Sequence, residues 1–400
     1  MKIKRYSVIN LLTCVGYIIL LCNNVNTSIT WLQYGDELLT IVFVIYILLH
    51  SRHINDFNLL LVHFIFILTG IIGTILWNKQ IAPAIMQDIL VCSKYIIAYI
   101  FAKTYFRFHA KSIKSIFLVS KIIIWLVFSL SIINWFMPSL FNTGQDFIQV
   151  GQKVIFTHQT YLTSFGVIFL LVFSIYYYIY KHGAIYLIQA SYLILVSMTT
   201  KGLAFLIVYW VLYLCIFKLR IRNLKFLVVI CACGLLLMSY SALFEYFGDS
   251  NHYSPRNIML TDSIRILVEY FPFGIGLAAY GSSVAYRYYS PMYVALGYQN
   301  NFGMNLKDEV NYMCDNFWPC IFGEYGFCGT ILFLAIIVMF VKMCINQYKL
   351  NKHLGYISFA AIVYLLITST AETSFFGING VIFMLLLGML QVIRKDYCNN

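Results

Sequence analysis

The chain has 400 residues, of which 61% are hydrophobic and 10% are charged, and its formal net charge at pH 7 is +12. This composition lies far outside the range of soluble globular proteins and excludes a soluble domain as the main unit. The apolar residues occur in repeated runs of about 17–25, the length at which a helix crosses a bilayer. Because lipid offers no partner for backbone N–H and C=O groups, these runs must be helical. The sequence therefore predicts an all-α, polytopic helical membrane protein in which residues 1–400 form one integral membrane domain.

Twelve transmembrane helices are predicted in chain order. They cover residues 7–22, 38–50, 57–77, 84–102, 122–137, 158–180, 184–200, 202–217, 224–244, 318–341, 355–371 and 375–393. The apolar block 184–217 is too long for one crossing, and Lys201-Gly202 is interpreted as a turn that divides it. The first run follows a basic segment and has no small-residue cleavage site after it, which favours a retained signal anchor. One large loop, 245–317, separates the ninth helix from the tenth.

The distribution of Lys and Arg predicts the orientation of the chain. Most of these 27 residues fall in the loops of one side, which the positive-inside rule assigns to the cytoplasm together with both termini. The large loop then faces away from the cytoplasm. Its side of the membrane carries the remaining loop cations: Lys79, Lys153, Lys201, Arg256, Arg265, Arg287 and Lys307. The positive net charge is explained by topology and does not indicate a nucleic-acid partner.

Few ionisable residues lie deep within the predicted spans. No repeat in hydropathy divides the chain into the paired halves that are typical of many secondary transporters. Asp88 and Lys94 in the fourth span are the exceptions, and their spacing does not allow an i,i+4 pair. We expect Lys94 to snorkel towards the interface and Asp88 to be hydrogen-bonded.

The helix predicted after Ser254-Pro255 places a cation at an unusual position. Ser is a preferred N-cap residue and Pro a preferred first helical residue, so Arg256 falls in the first turn. The helix dipole disfavours a cation there, but the free N–H groups of this end bind phosphate. A guanidinium added to them suits a diphosphate, which it can grip in bidentate fashion. The alternative is an ordinary exposed loop arginine.

The same helix carries Arg265, which has local partners. Asp262 and Glu269 lie at i,i+3 and i,i+4 spacing from it, which favours a solvated intrahelical ion pair. Another face of the helix carries four apolar residues: Leu260, Ile264, Leu267 and Phe271. This face predicts an amphipathic helix at the membrane surface.

Tyrosines and two acids follow in the loop and at its end. Tyr280 and Tyr286 are candidates to stack on a sugar ring, and an interfacial aromatic belt is the alternative. Asp315 precedes the tenth span, where a carboxylate could take a proton from an attacking hydroxyl or be an ordinary interfacial acid. Glu324 lies slightly inside that span, and an acid at this depth needs a partner or a role.

In their order and spacing, these residues resemble the O-antigen ligase and O-antigen/capsule polymerase (Wzy) superfamily of bacterial inner membranes. Its members share many membrane spans and a large periplasmic loop in the second half. The stretches that carry the resemblance are Thr200-Lys201-Gly202, Ser254-Pro255-Arg256, Pro272-Phe273-Gly274-Ile275-Gly276, Asp315-Asn316-Phe317 and Glu324-Tyr325-Gly326-Phe327-Cys328-Gly329. Lys201 replaces the usual Arg, and Asp315 stands where ligases usually have His, which favours a polymerase.

The resemblance implies a membrane glycosyltransferase that polymerises O-antigen or capsule. It would move a growing oligosaccharide from undecaprenyl diphosphate to the terminal sugar of the next lipid-linked repeat unit. Arg256 and its helix end would stabilise the leaving diphosphate, with Arg265 or Lys201 as a second cation. Asp315 would activate the acceptor hydroxyl.

The remaining expectations concern binding residues, partners and rivals. Lys201, Tyr280, Tyr286 and Glu324 are candidates for substrate binding. No D-x-D pair occurs in the chain, so neither a metal nor another cofactor is expected. A chain-length regulator and a flippase in the same membrane are expected partners. The alternatives are an O-antigen ligase, with the same donor, and a lipid-linked oligosaccharide flippase.

Overall fold

The computed structural model describes residues 16–22, 34–50, 56–77, 79–106, 110–138, 151–219, 254–308 and 311–393. Within these ranges the regular structure is helical and no strand occurs, which confirms the predicted class for this part of the chain. The helices are α1 (16–22), α2 (Gly35–Leu49), α3 (Phe57–Trp77), α4 (Ala82–Tyr105), α5 (Ala110–Phe136), α6 (Gln159–Tyr180), α7 (Ala184–Val196), α8 (Thr200–Tyr213), α9 (Pro255–Glu269), α10 (Ser283–Arg287), α11 (Pro291–Ala295), α12 (Trp318–Leu350), α13 (Lys352–Thr368) and α14 (Ile378–Val392). A π-helical turn, Leu214–Lys218, continues α8.

Several of these helices are long and apolar enough to cross a membrane. They are Phe57–Trp77, Ala82–Tyr105, Lys114–Phe136, Gln159–Tyr180, Thr200–Lys218 and Trp318–Leu350. The apolar helices α7, α13 and α14 are shorter and coincide with three further predicted spans. The predicted span 224–244, the loop residues 245–253 and most of 7–22 lie outside the described residues.

Two helices extend beyond the spans predicted for them. The helix predicted at 122–137 begins at Ala110, and the helix predicted at 318–341 ends at Leu350. In both cases polar residues end the apolar run, but the i to i−4 backbone hydrogen bonds of a helix continue through such residues. Hydropathy marks the membrane-length part of a helix and not its ends.

The expectation that Lys94 snorkels is wrong. Its side chain is 5% exposed and forms an ion pair with Asp36 of α2. A buried charge is strongly destabilising unless an opposite charge accompanies it, so the partner comes from a neighbouring helix. The pair joins α4 to α2. The expectation for Asp88 is confirmed, because its Oδ2 accepts a hydrogen bond of 2.9 Å from Ala278 N.

Part of the large loop is enclosed by α3, α4 and α12. Residues 274–282, here called the inserted segment, are all buried. Its backbone N–H groups donate to acceptors on the surrounding helices: Ile275 to Gly323 O (2.9 Å), Gly276 to Glu324 O (3.1 Å), Leu277 to Thr74 Oγ1 (2.9 Å), Ala278 to Asp88 Oδ2 (2.9 Å) and Tyr280 to Glu324 Oε1 (3.0 Å). Such partners are required because a backbone enclosed among apolar helices has no water to bind.

The inserted segment approaches α12 so closely that glycine is needed on both sides. α12 is kinked at Gly326, whose φ of 62° and ψ of −157° are not helical. A Cβ atom on Gly326 would lie 2.2 Å from Gly274 N, and one on Gly274 would lie 2.6 Å from Gly326 N. The two glycine-containing stretches of the sequence therefore meet backbone to backbone.

We expect Gly326→Ala to displace the inserted segment and to lower the thermal stability of the detergent-solubilised protein. Gly297→Ala is the matched control, because Gly297 also has a positive φ, 73°, but the nearest atom to its added Cβ is Asn300 Nδ2 at 4.0 Å. A left-handed helical conformation destabilises a non-glycine residue by about 1–2 kcal/mol at Gly297 (φ 73°, ψ 20°). Gly326 (φ 62°, ψ −157°) lies in a region that essentially only glycine adopts, so the further loss at Gly326 combines backbone strain with the clash. Size-exclusion chromatography after heating measures both variants. If Gly326→Ala and Gly297→Ala melt at the same temperature, the close backbone contact at Gly326 is not what holds the inserted segment against α12.

Candidate functional site

The loop helix α9 begins where the sequence predicts it. Pro255 is its first residue and Ser254 is the N-cap residue, although the Ser254 side chain makes no capping hydrogen bond. Arg256 therefore lies in the first turn, among N–H groups that have no carbonyl partner within the helix. The end of α9 combines a guanidinium with backbone donors, as expected for an anion site.

Two predicted site residues that are distant in sequence meet in the structure. Arg256 Nη2 donates a hydrogen bond of 2.8 Å to Asp315 Oδ2, across 59 residues. The two side chains are 26% and 30% exposed. Asp315 lies just before α12, which begins at Trp318. The ion pair orients the guanidinium while part of it stays accessible to a ligand.

A second ion pair joins Lys201 to Glu372. Lys201 lies in the first turn of α8, and Glu372 lies between α13 and α14. Glu372 Oε2 also accepts a hydrogen bond of 3.4 Å from Asn379 Nδ2. The turn that carries Glu372 is fixed to the segment after Asp315, because Phe317 N donates to Ser369 O at 3.2 Å. The two ion pairs thus belong to adjoining segments.

Burial raises the pKa of the Asp315 carboxyl group above its ordinary value. The charge of Arg256 and its hydrogen bond oppose this rise, and Lys201 and His158 oppose it to a smaller extent. The charges on three other elements therefore act on Asp315. We call Arg256, Asp315, Lys201, Glu372 and His158 the outer polar cluster.

The outer polar cluster is built from helix ends that the predicted topology places on one side. His158 is the N-cap residue of α6, and Lys201 opens α8. Glu372 lies in the predicted outer loop before the last span. At the opposite end, Lys103 pairs with Asp56 at 2.6 Å, and both belong to predicted inner loops or their edges. Each end therefore carries ion pairs between elements that are distant in sequence.

Arg265 does not belong to the outer polar cluster. Its guanidinium is 3.7 Å from Asp262, as the sequence spacing predicts, and its side chain is 60% exposed. Nine residues separate it from Arg256, or about 13 Å along a helix axis. Of the two cations considered as helpers of Arg256, Lys201 is the one whose charge lowers the pKa of Asp315.

The face by which α9 packs inwards differs from the apolar face in the sequence. Met259, Ser263 and Ile266 are buried, whereas Ile264 and Phe271 are 52% and 63% exposed. A helix with apolar residues on two faces can bury either one, and the contacts with α12 decide which. Of the predicted apolar face, Ile264 and Phe271 are left on the outside of the protein, and Leu260 and Leu267 are half-buried.

Two of the predicted substrate-binding residues, Tyr280 of the loop and Glu324 of α12, are fully buried. Tyr280 is 0% exposed, and its hydroxyl donates to Met259 O at 2.8 Å, so its ring is not available to a sugar. Glu324 is also 0% exposed, and its Oε1 accepts hydrogen bonds from Tyr280 N at 3.0 Å and Ser282 Oγ at 2.9 Å. Both residues hold the inserted segment in place. Tyr286 is half-buried and keeps an accessible surface.

Sequence reasoning missed Glu372 and His158. Glu372 is the acid of a short loop between the last two predicted spans, and that position alone could have drawn attention to it. Its pairing with Lys201 depends on how α8 and α13 pack, which no local pattern reveals. His158 stood at the boundary of a predicted span, where an N-cap residue is common.

Comparison with known proteins gives no family for this chain. No protein-family model matches it, and no curated protein matches it. In the part of the chain that the structure describes, no group of three or more His, Cys, Asp or Glu side chains could hold a metal ion. Any function assigned to the chain must rest on its residues and their geometry.

Replacement of Arg256 should raise the pKa of Asp315 further, because this arginine is the largest influence opposing the effect of burial. Carbodiimides react with protonated carboxyl groups, so Arg256→Ala should extend the labelling of Asp315 to higher pH. Mass spectrometry of the labelled peptide over a pH series measures the shift. Arg265→Ala is the control, since Arg265 pairs with Asp262. An unchanged Asp315 profile in Arg256→Ala would show that the ion pair does not form.

Proposed function

We propose that this protein is a glycan polymerase of the O-antigen or capsule type in a bacterial inner membrane. It would transfer a growing oligosaccharide from undecaprenyl diphosphate to a lipid-linked repeat unit. The observation that carries the proposal is the ion pair of Arg256 and Asp315 at the start of the loop helix. It joins residues from two separate stretches of the sequence, each of which resembles a motif of the polymerase and ligase superfamily.

The chemistry of this transfer requires an anion site more than any other feature. The reaction displaces a diphosphate from an anomeric carbon, and negative charge grows on the diphosphate as the bond breaks. Arg256 and the N–H groups at the start of α9 supply oriented positive charge for it, and donors fixed in advance are the most effective. Asp315 keeps the guanidinium in position until the donor binds.

The proposed topology brings both lipid substrates to this site. Twelve spans with cytoplasmic termini place loop 245–317 and the outer polar cluster at the periplasmic surface. The polyprenyl chains then stay in hydrocarbon while the diphosphates and sugars meet at the cluster. A chain-length regulator and a flippase are the partners that this position implies.

The rival functions differ in what they require of the site. A ligase would use the same donor and the same diphosphate site but another acceptor, lipid A-core. A flippase would need cations that line a cavity within the spans. In the described residues, the cation buried within a span, Lys94, is neutralised by Asp36, which does not favour a flippase.

Deletion of the gene should leave cells whose surface glycan carries a single repeat unit, because export and ligation continue. Complementation with Arg256→Ala should not restore long chains at normal protein level, and Arg256→Lys should restore little because the bidentate grip is lost. A donor of this kind contributes about 2–4 kcal/mol to transition-state stabilisation, or about a hundredfold in rate or more. Arg265→Ala, with its exposed guanidinium, is the matched control and should restore long chains.

Other glycan patterns would contradict the proposal. Loss of all surface repeats with polymer on undecaprenyl diphosphate would indicate a ligase, and repeat units trapped on the cytoplasmic leaflet would indicate a flippase. If Arg256→Ala restores normal chains and Arg265→Ala does not, the diphosphate site has been assigned to the wrong arginine.

The proposed orientation predicts which cysteines an impermeant thiol reagent can reach. Phe302 is 74% exposed in the loop and Leu350 is 70% exposed at the far end of α12, so both positions suit labelling. A loop position such as Ser282 does not, because it is 3% exposed. In intact spheroplasts Phe302→Cys should be labelled above the background of the parent chain and Leu350→Cys should not. Labelling of Leu350→Cys alone would place the outer polar cluster in the cytoplasm.

A further inference from the structure

The outer polar cluster contains two separate cation–carboxylate pairs. Arg256 and Asp315 form one, and Lys201 and Glu372 form the other. Displacement at an anomeric carbon also has two ends, because the attacking hydroxyl and the leaving diphosphate lie on opposite faces of the sugar. In inverting glycosidases the two catalytic groups that serve these two ends are about 6.5–9.5 Å apart, so the base and the cation that holds the leaving oxygen are expected to be separate groups.

Asp315 is too close to Arg256 to act as the base. Their side chains are 2.8 Å apart, so a diphosphate held by Arg256 would place Asp315 beside the leaving group. Asp315 has a short side chain, and its segment is held by the hydrogen bond from Phe317 N to Ser369 O. It could reach the opposite face of the sugar only if the backbone moved. The role that the sequence favours for Asp315 thus conflicts with the role of Arg256.

Glu372 belongs to the other pair and has an oxygen available. Its side chain is 21% exposed, and its Oε1 faces Lys201, which balances its charge. Its Oε2 is contacted by Asn379 Nδ2 at the long distance of 3.4 Å. A carboxylate oxygen accepts more than one hydrogen bond, so Oε2 can also accept from a substrate hydroxyl.

Buried polar groups fix the position of Glu372. Asn379, which contacts its Oε2, is 4% exposed and also donates to Ser164 Oγ at 3.1 Å. Ser164 is bonded in turn to Tyr364 OH at 2.8 Å. These groups come from α14, α6 and α13, so three helices support the loop carboxylate. A base must be oriented in this way to receive a proton from a defined hydroxyl.

We propose that Glu372 is the catalytic base that activates the acceptor sugar, an inference that rests on the proposed polymerase function. The acceptor hydroxyl passes its proton to Glu372 Oε2 while its oxygen forms a bond to the anomeric carbon of the donor. The bond between that carbon and the diphosphate oxygen breaks, and its electron pair leaves with the diphosphate held by Arg256. The configuration at the anomeric carbon is inverted.

Glu372→Gln separates donor binding from transfer. The purified full-length protein in nanodiscs is tested for binding of undecaprenyl diphosphate and for transfer between lipid-linked repeat units extracted from the deletion strain. Glu372→Gln should bind undecaprenyl diphosphate within about twofold of the wild type and lose transfer by about a hundredfold or more. Formate should restore part of the transfer to Glu372→Ala, because it can occupy the space of the missing carboxylate, but should not restore it to Asp315→Ala.

The possible outcomes are distinguishable. Weak undecaprenyl diphosphate binding by Glu372→Gln, or formate rescue of Asp315→Ala, overturns the assignment of Glu372. If Arg256→Ala loses undecaprenyl diphosphate binding while Glu372→Gln transfers the oligosaccharide normally, the assignment of Glu372 as the base is wrong and the diphosphate site stands. If the wild type binds no undecaprenyl diphosphate and Arg256→Ala leaves chain length unchanged, the polymerase proposal itself fails. Should Glu372→Gln not fold, Glu372→Asp keeps the charge beside Lys201, withdraws the oxygen by one methylene and should again lose transfer but not binding.

Discussion

Backbone N–H groups enclosed among apolar helices need acceptors from the protein, and this requirement determines how the large loop is held. The inserted segment, 274–282, finds acceptors on α3, α4 and α12, and two of them are the carboxyl groups of Asp88 and Glu324. Two acids that hydropathy leaves unexplained thus serve the backbone of another segment. Because the inserted segment is fixed, α9 is held against α12. Arg256 at the start of α9 then reaches Asp315, which lies just before the start of α12.

The residues that carry the family resemblance serve two distinct physical purposes. Gly274 and Gly326 allow two backbones to approach at a separation that a Cβ atom would prevent, so they build the scaffold. Glu324 belongs with them, since its Oε1 accepts hydrogen bonds from two groups of the loop. Arg256 and Asp315 are partly exposed and charged, so they are the residues that can meet a substrate. A motif that combines both kinds cannot be read as a list of catalytic groups.

The sequence predicts those features that depend on local chemistry. The membrane-length helices follow from apolar runs, and the start of α9 follows from Ser254-Pro255, which also gives Arg256 its position. The ion pair of Lys94 with Asp36 and that of Lys201 with Glu372 were not predictable, because they depend on which helices become neighbours. The inward face of α9 escaped prediction for the same reason, since the sequence offers apolar residues on more than one side.

The division of the outer polar cluster into two pairs decides what it can do. A cation at the boundary of an apolar protein is destabilised when it has no partner, so each cation is held by a carboxylate. In the proposed polymerase, a diphosphate that binds Arg256 would take the place of Asp315 as the anionic partner, so one charge-assisted contact would be exchanged for another. Lys201 and Glu372 need not separate during this exchange, because they are bonded to each other and tethered by Asn379. In the proposed reaction, a single mixed cluster of the four groups would lose its base whenever an anion bound. Two pairs would let one end receive negative charge while the other receives a proton.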